Sequence, residues 1–193
     1  TIASELKDLN DSRKDMTKEG VEQAVCYVEQ NNMEGERVLV VYLPECHESL
    51  AGIIAGRLRE KYSKPTFVLT DSKEGVKGSG RSIETYHMYD NMTQIKEVFT
   101  KYGGHKMAAG LSLERDKVGE FRRRINEICT LTPEDMEEKV LIDVPMPISY
   151  ADFAMVEQMS ILEPYGTGNP KPLFAQKNIT LCSARLMGKD KNV

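Results

Sequence analysis

A glycine pair followed by a histidine and a lysine is the clearest chemical signal in this sequence. Gly103 and Gly104 precede His105 and Lys106, and a run of small residues typical of a strand follows. Glycines let a backbone turn tightly and approach a ligand closely, and the two following side chains can donate hydrogen bonds to phosphate oxygens. The pattern predicts an anion site, and these residues alone leave a plain turn before a core strand as the alternative.

A second candidate segment lies upstream, where Ser79 and Gly80 precede Arg81 and Ser82. The planar guanidinium of Arg81 can hold a phosphate through two hydrogen bonds, whereas a lysine offers a point charge. The two hydroxyls and the neighbouring glycine amides would complete a phosphate cradle at the end of a strand. The alternative is a surface turn with a structural salt bridge.

Together the two segments resemble the DHH-associated domain of the RecJ family, where Gly-Ser-x-Arg-Ser and Gly-Gly-His-x-x-Ala-x-Gly segments line the substrate groove. The resemblance extends to His47 with the helix that follows it, and to the strand that begins at Pro65. Residues 161–170 resemble the linker into an OB-type domain, so the match covers nearly the whole chain. Ser49 stands where the family usually has glycine, which leaves His47 open between a substrate contact and a structural role.

The resemblance implies a single-stranded-DNA-specific exonuclease that digests from 5′ to 3′ in DNA recombination and repair. It implies these substrate-binding residues: His47, Ser79, Gly80, Arg81, Ser82, Gly103, Gly104, His105 and Lys106. His105 would also act in catalysis by contacting the phosphate under attack, and Tyr86, Tyr89 and Tyr102 are candidates for stacking on bases, although each also suits a packing role.

The chemistry of hydrolysis is expected to lie outside these residues. Metal-assisted cleavage needs clustered Asp and His ligands, and the three histidines here are dispersed without an Asp-His-His motif. In the RecJ family Mn²⁺ or Mg²⁺ is bound by a DHH domain, which would precede Thr1. We therefore expect this chain to be a C-terminal fragment that binds no metal and is inactive alone.

Other functions remain open from the sequence. A phosphodiesterase of the same superfamily, acting on cyclic dinucleotides or short RNA, carries a similar Gly-Gly-His domain but has no evident use for residues 162–193. An RNA-binding accessory domain, similar to the one that ends alanyl-tRNA synthetases, would bind folded tRNA. A structural interaction module would bind no oligonucleotide. Single-stranded DNA is the expected partner, with a single-strand-binding protein or a helicase as further candidates.

Composition limits these classes without choosing among them. The formal charge of −4 argues against a generally basic nucleic-acid binder, but a local cationic groove suffices for affinity. The cysteines are widely separated and lack zinc-site spacing, which favours reduced thiols and a cytoplasmic protein. No apolar run approaches the roughly 20 residues that a membrane helix needs, so no membrane association is expected.

The elements that position the two glycine-rich segments follow from hydrophobic periodicity. An apolar strand at residues 37–43, a helix and a second apolar strand at residues 66–69 predict a parallel βαβ unit. Strands are then predicted at residues 76–82 and 107–113, and helices at residues 89–102 and 114–129. Residues 3–30 are predicted to form two helices or one kinked helix.

We therefore expect an α/β fold with a mixed, largely parallel sheet flanked by helices. An N-terminal linker helix would precede the sheet, and an incomplete, β-rich OB-like segment would follow it, with strands within residues 140–144 and 174–186. The predicted divisions are a linker helix region at residues 1–32, the DHH-associated α/β domain at residues 33–131 and the partial OB-type domain at residues 132–193.

Overall fold

The chain divides into two compact units, Thr1–Glu138 (unit 1) and Lys139–Val193 (unit 2). A computed structural model describes residues 2–137, 139–180 and 182–185. The predicted boundaries after residues 32 and 131 remain predictions, because the two compact units do not decide them.

Unit 1 contains a five-stranded sheet and four α-helices within its described residues. The helices are α1 (Ile2–Gln30), α2 (Glu48–Tyr62), α3 (Met88–Thr93) and α4 (Val118–Glu127). The strands are β1 (Leu39–Tyr42), β2 (Thr66–Ser72), β3 (Gly75–Arg81), β4 (Lys101–Gly104) and β5 (Ala108–Leu113). They are arranged in the order β1-β2-β3-β5-β4, so β4 forms an outer edge of the sheet.

The mixed α/β fold is confirmed, but the prediction of a largely parallel sheet is wrong. Strands β1 and β2 are parallel, whereas the β2–β3, β3–β5 and β4–β5 pairs are antiparallel. The connection between Ser72 and Gly75 is a two-residue hairpin, which joins antiparallel strands and is too short for a crossover. Gly75 has a φ of 114°, a conformation that suits this glycine.

Both faces of the sheet carry an apolar core, as strand alternation requires. On one face Leu39, Val41 and Val68 pack with the buried side of α2 and with Ala24 and Val28 of α1. The opposite face packs Val38, Val40, Phe67 and Leu69 against Phe121 and Ile125 of α4 and residues around α3. Hydrophobic periodicity predicts that α2 buries a stripe made of Leu50, Ile53, Ile54 and Leu58. Leu50, Ile54 and Leu58 are buried as expected, whereas Ile53 is half-buried.

Two helix predictions changed in the structure. The prediction for residues 3–30 left two helices or one kinked helix open, and α1 is a single 29-residue helix. The predicted helix over residues 89–102 is wrong, because α3 ends at Thr93 and Lys101–Gly104 forms the edge strand β4. The glycines at the end of this segment disfavour helix, and pairing with β5 supplies the backbone hydrogen bonds instead.

Unit 2 contains two short parallel strands, β6 (Val144–Pro145) and β7 (Phe174–Ala175), and one α-helix, α5 (Phe153–Gln158), within its described residues. The Asp152 side chain caps α5 by accepting a hydrogen bond from the Met155 amide at 2.8 Å. The predicted strand region extends to residue 186, and part of it lies outside the described residues. In the described part of the chain, no helix is long and apolar enough to cross a membrane.

Candidate functional site

One face of the sheet extends beyond the edge of α2 and is lined by small and cationic residues. We call this surface the open face, and its residues are Lys77, Ser79 and Arg81 of β3, Ala108, Gly110 and Ser112 of β5, and Lys101 and Gly103 of β4. The register places Ser79, Gly110 and Gly103 side by side across the three strands. All eight residues are exposed or half-buried, so the surface can receive a ligand.

Arg81 lies at the boundary between the open face and α2. Its guanidinium donates a hydrogen bond to the Gly80 carbonyl at 2.8 Å, and it is half-buried. A Cβ on Gly52 would lie 2.8 Å from Arg81 Nη2, so this glycine of α2 makes the room that the guanidinium occupies. Arg81 forms no ion pair with any carboxylate of the described residues, and its remaining donors can bind an external anion.

Ser79 and His47 line the same cavity, of about 380 Å³, between the start of α2 and the open face. His47 is the N-cap of α2, and its Nδ1 accepts the Ser49 amide proton at 3.3 Å. A neutral His47 with Nδ1 as acceptor carries its proton on Nε2, which leaves that nitrogen as a donor. His47 can therefore cap α2 through Nδ1 and bind a ligand through Nε2, so the two roles that the sequence left open do not exclude each other.

His105 sits in the turn between β4 and β5. Its amide donates to the Ala108 carbonyl at 2.8 Å, and its Nδ1 accepts from the Met107 amide at 3.2 Å. This contact again assigns the proton of a neutral imidazole to Nε2. Because Arg81 pairs with Ala108 on the other side of β5, Arg81 and His105 lie about two strand spacings apart, roughly 10 Å.

Gly104 makes this turn possible. Its φ is 149°, and a Cβ there would lie 2.3 Å from the Ala108 carbonyl oxygen. Gly103 differs, because a Cβ at that position would meet nothing within 4 Å. The glycine pair therefore combines one residue that the backbone requires with one that leaves the open face unobstructed.

Two lysines near the site are paired with carboxylates. Lys106 Nζ lies 3.1 Å from Glu84 Oε2, and Lys77 Nζ lies 2.9 Å from Glu48 Oε2. The hydrogen bond from Lys77 lowers the pKa of Glu48 and the same contact raises the pKa of Lys77. Both pairs are exposed, so a phosphate can compete with the carboxylate for either lysine.

The predicted ligand residues Gly80 and Ser82 lie in the core, so neither offers a side-chain position to the open face. A Cβ on Gly80 would lie 2.5 Å from Met88 Sδ and 2.7 Å from the Phe67 ring. Ser82 is fully buried, and its hydroxyl donates to the Tyr86 carbonyl at 2.7 Å. Strand alternation explains Gly80, because its neighbours Ser79 and Arg81 point to the open face.

The candidate stacking residues do not share the open face. Tyr86 is 3% exposed and packs in the core, so it cannot stack on a base. Tyr102 pairs with Leu111, which places both side chains on the opposite face of the sheet, and Tyr89 stacks on Tyr102 with ring centroids 5.9 Å apart.

Sequence reasoning missed several contributors to the site, among them Gly52, Lys77, Lys101 and Ser112. Period-two alternation from Arg81 through Ser79 would have identified Lys77. The same alternation along β5 from Gly110 would have identified Ser112. No local signal identified Gly52, because the packing of α2 on the sheet brings it to the site. The described residues contain no group of three or more His, Cys, Asp or Glu side chains that could hold a metal ion.

Known proteins resemble this chain in sequence and in domain composition. The DHHA1 domain model matches residues 35–131, and the RecJ OB domain model matches residues 142–193. The chain is 31% identical over 194 residues to the single-stranded-DNA-specific exonuclease RecJ of Bacillus subtilis, covering 98% of this chain and 25% of that protein. It is 33% identical over 198 residues to the protein of that name from Salmonella typhimurium, covering 97% of this chain and 34% of the relative.

Solved structures show the same likeness. Crystal structures of RecJ from Thermus thermophilus in complex with Mn²⁺ and with Mg²⁺ match with TM-scores of 0.78 and 0.76, each at 28% identity. The Mn²⁺ complex covers 90% of this chain and 25% of that chain, and the Mg²⁺ complex covers 89% and 26%. The chain thus spans about a quarter to a third of the length of these relatives.

Proposed function

Because the chain belongs to the RecJ family through its DHHA1 and RecJ OB domains, we propose that it is the substrate-binding portion of a single-stranded-DNA-specific exonuclease. In this proposal the enzyme digests DNA from 5′ to 3′ and acts in recombination and repair. The open face holds the phosphates of the strand, while hydrolysis takes place elsewhere in the protein.

The half-buried guanidinium of Arg81 is the observation that carries the proposal. It lies in the space left by Gly52 and has no carboxylate partner among the described residues. One of its nitrogens donates to the Gly80 carbonyl, and its other donors can form charge-assisted hydrogen bonds with a bound anion. Ser79 beside it offers a hydroxyl that makes no hydrogen bond within the described part of the chain.

His105 and His47 are proposed as donors at the two ends of this site. Each Nδ1 accepts from a backbone amide, and that of His47 also lies 2.8 Å from the Ser49 hydroxyl, so the Nε2–H of each neutral ring is the donor left for a ligand. His105 would contact the phosphate under attack and stabilise its developing charge. Gly103, Gly104 and Lys106 would shape and charge the turn that carries it.

The metal ions of the proposed reaction are not assigned to this chain. Mn²⁺ or Mg²⁺, present in the related crystal structures, would be held by a DHH domain. The described residues contain no group of three or more His, Cys, Asp or Glu side chains that fits such an ion. A cytoplasmic location and contacts with a single-strand-binding protein or a helicase remain predictions of the same hypothesis.

Binding measurements test the proposal directly. Fluorescence anisotropy with this chain should show weak, salt-sensitive binding to 5′-phosphorylated single-stranded DNA, with lower affinity for duplex DNA and for tRNA. Single-stranded nucleic acid typically gives a slope of log K against log salt of about −0.7 for each phosphate contacted. Preference for tRNA would contradict the nuclease proposal and favour an RNA-binding accessory domain.

Filling the open face should block the DNA without harming the fold. A Cβ on Gly110 has the Gly78 carbonyl oxygen, at 4.0 Å, as its one neighbour within 4 Å, so Gly110→Val fits the folded chain. Its branched side chain would occupy the row between Ser79 and Gly103, and we expect single-strand affinity to fall about tenfold, the loss of one charge-assisted contact. Gly119→Val on α4, where a Cβ also meets open space, is the matched control. Equal single-strand affinities of the two variants would mean that the open face is not the DNA-binding surface.

Releasing Lys77 should add a phosphate contact. Glu48→Gln removes the carboxylate that holds the Lys77 ammonium at 2.9 Å, while the amide keeps the shape of the side chain. We expect tighter single-strand binding at low salt and a slope of log K against log salt that is steeper by about 0.7. Glu84→Gln, which frees Lys106 in the same way, is the comparison. An unchanged slope in Glu48→Gln would place Lys77 outside the path of the DNA.

A further inference from the structure

An aromatic ladder runs from the core to the surface beside the His105 turn. Phe67 packs on Phe121 with ring centroids 5.1 Å apart, Phe121 on Phe99 at 5.1 Å, and Phe99 on Tyr102 at 5.6 Å. Tyr89 is the outermost ring, stacked on Tyr102 at 5.9 Å with an interplanar angle of 29°. Tyr89 is 37% exposed, whereas Phe67 and Phe121 are fully buried. The surface ring is therefore held in place by packing that reaches the core.

The ladder meets the surface next to the proposed phosphate site. Tyr102 precedes His105 by three residues, about 10 Å along a strand. The Met88 amide, one residue before Tyr89, donates to the Lys106 carbonyl at 3.1 Å, which ties α3 to the same turn. Both elements that carry the stacked rings thus converge on the turn that presents His105 Nε2.

A nucleic-acid strand can pass over the β4 edge of the sheet from the open face to the Tyr89–Tyr102 pair. Strand β4 is the outer strand, and the Tyr89–Tyr102 pair and the open face lie on its two sides. Gly103 and Gly104 follow Tyr102 in that strand and carry no side chains. No side chain of these two residues would therefore obstruct a sugar that crosses the edge of the sheet there. A phosphate at His105 and a base over Tyr89 can then belong to one strand.

We propose that Tyr89, supported by Tyr102, is a stacking platform for a nucleobase of the single strand whose phosphates lie on the open face. This inference rests on the proposed function and adds a base-binding subsite to it. An aromatic ring stacks on any base, because every base has a π-face, and typical contributions are about 1–3 kcal/mol per base. The platform contributes affinity without sequence preference.

Tyr89→Leu and an abasic ligand together test this subsite. The chain is titrated with a single-stranded oligonucleotide and with the same backbone lacking its bases, and each is measured with wild type, Tyr89→Leu, Tyr89→Phe and Arg81→Ala. We expect Tyr89→Leu to weaken binding of the base-containing strand about 5- to 100-fold. The same variant should bind the abasic strand as tightly as wild type does. Tyr89→Phe should bind both strands as wild type does. A 2-aminopurine in the strand should change its fluorescence on binding to wild type and not to Tyr89→Leu.

The outcomes separate the subsite from the site on which it rests. Equal losses for both strands in Tyr89→Leu would mean that the ring supports the fold and does not stack on a base. No loss for either strand would overturn the subsite as well. Arg81→Ala should weaken both strands alike, and an unaffected Arg81→Ala beside a base-dependent Tyr89→Leu would refute the phosphate site while retaining the platform.

Discussion

Arg81→Ala is expected to lower the affinity of the chain for single-stranded DNA about 10- to 100-fold at low salt. A hydrogen bond to a charged group contributes about 1.5–3 kcal/mol, and the guanidinium at this position has no competing carboxylate among the described residues. The loss should shrink as salt rises, because the contact is to a phosphate. Anisotropy titrations at two salt concentrations measure both effects.

Two further variants sharpen the Arg81 experiment. Arg81→Lys keeps the charge but not the planar pair of donors, so it should recover part of the affinity at most. Arg123→Ala removes the same charge from α4, where Arg123 Nη1 is paired with Glu127 at 2.7 Å, and should bind as wild type. If Arg123→Ala weakens binding as much as Arg81→Ala, net charge explains the effect and Arg81 has no specific role.

Gly80→Val is expected to destabilise unit 1 by about 3 kcal/mol or more. Even a Cβ would lie 2.5 Å from Met88 Sδ and 2.7 Å from two atoms of the Phe67 ring, and valine adds two methyl groups to a filled core. Both neighbours are fully buried and cannot move into solvent. Chemical denaturation followed by far-UV circular dichroism measures the loss as a lower midpoint at an unchanged slope.

Gly80→Val and Gly110→Val separate a packing role from a ligand role. Both glycines lie in neighbouring strands, but their α-carbons face the core and the open face respectively. We expect Gly80→Val to lose stability and Gly110→Val to keep stability and lose DNA affinity. A stable Gly80→Val variant with impaired DNA binding would restore Gly80 to the ligand-binding set and contradict its assignment to the core.

The three arginines in the middle of α4 illustrate why a charge run is a weak guide to a binding surface. Arg122 pairs with Glu36 at 2.6 Å, Arg123 with Glu127 at 2.7 Å, and Arg124 with Glu97 at 2.5 Å. Each charge is thus compensated locally. Arg81 on the open face forms no ion pair with a carboxylate of the described residues, and it is therefore the stronger candidate for an external phosphate.

The sequence by itself determined the βαβ unit, the burial of the α2 apolar stripe and the family to which the chain belongs. These depend on local patterns, since hydrophobic runs and periodicity reflect which face of an element is buried. The Gly-Gly-His turn was also located from the sequence. Its backbone has a φ of 149° at position 104 and passes close to Ala108, and glycine is the residue that suits both conditions.

The tertiary structure alone decided which residues of the glycine-rich segments face a ligand. Strand β4 was missed because its four residues gain their hydrogen bonds from β5, a contact that no local pattern encodes. Because side chains alternate along β3, Gly80 faces the core and Ser79 and Arg81 face the open face, although all three belong to one motif. The place of Arg81 depends on Gly52 of a different element, so the site exists only once α2 has packed on the sheet.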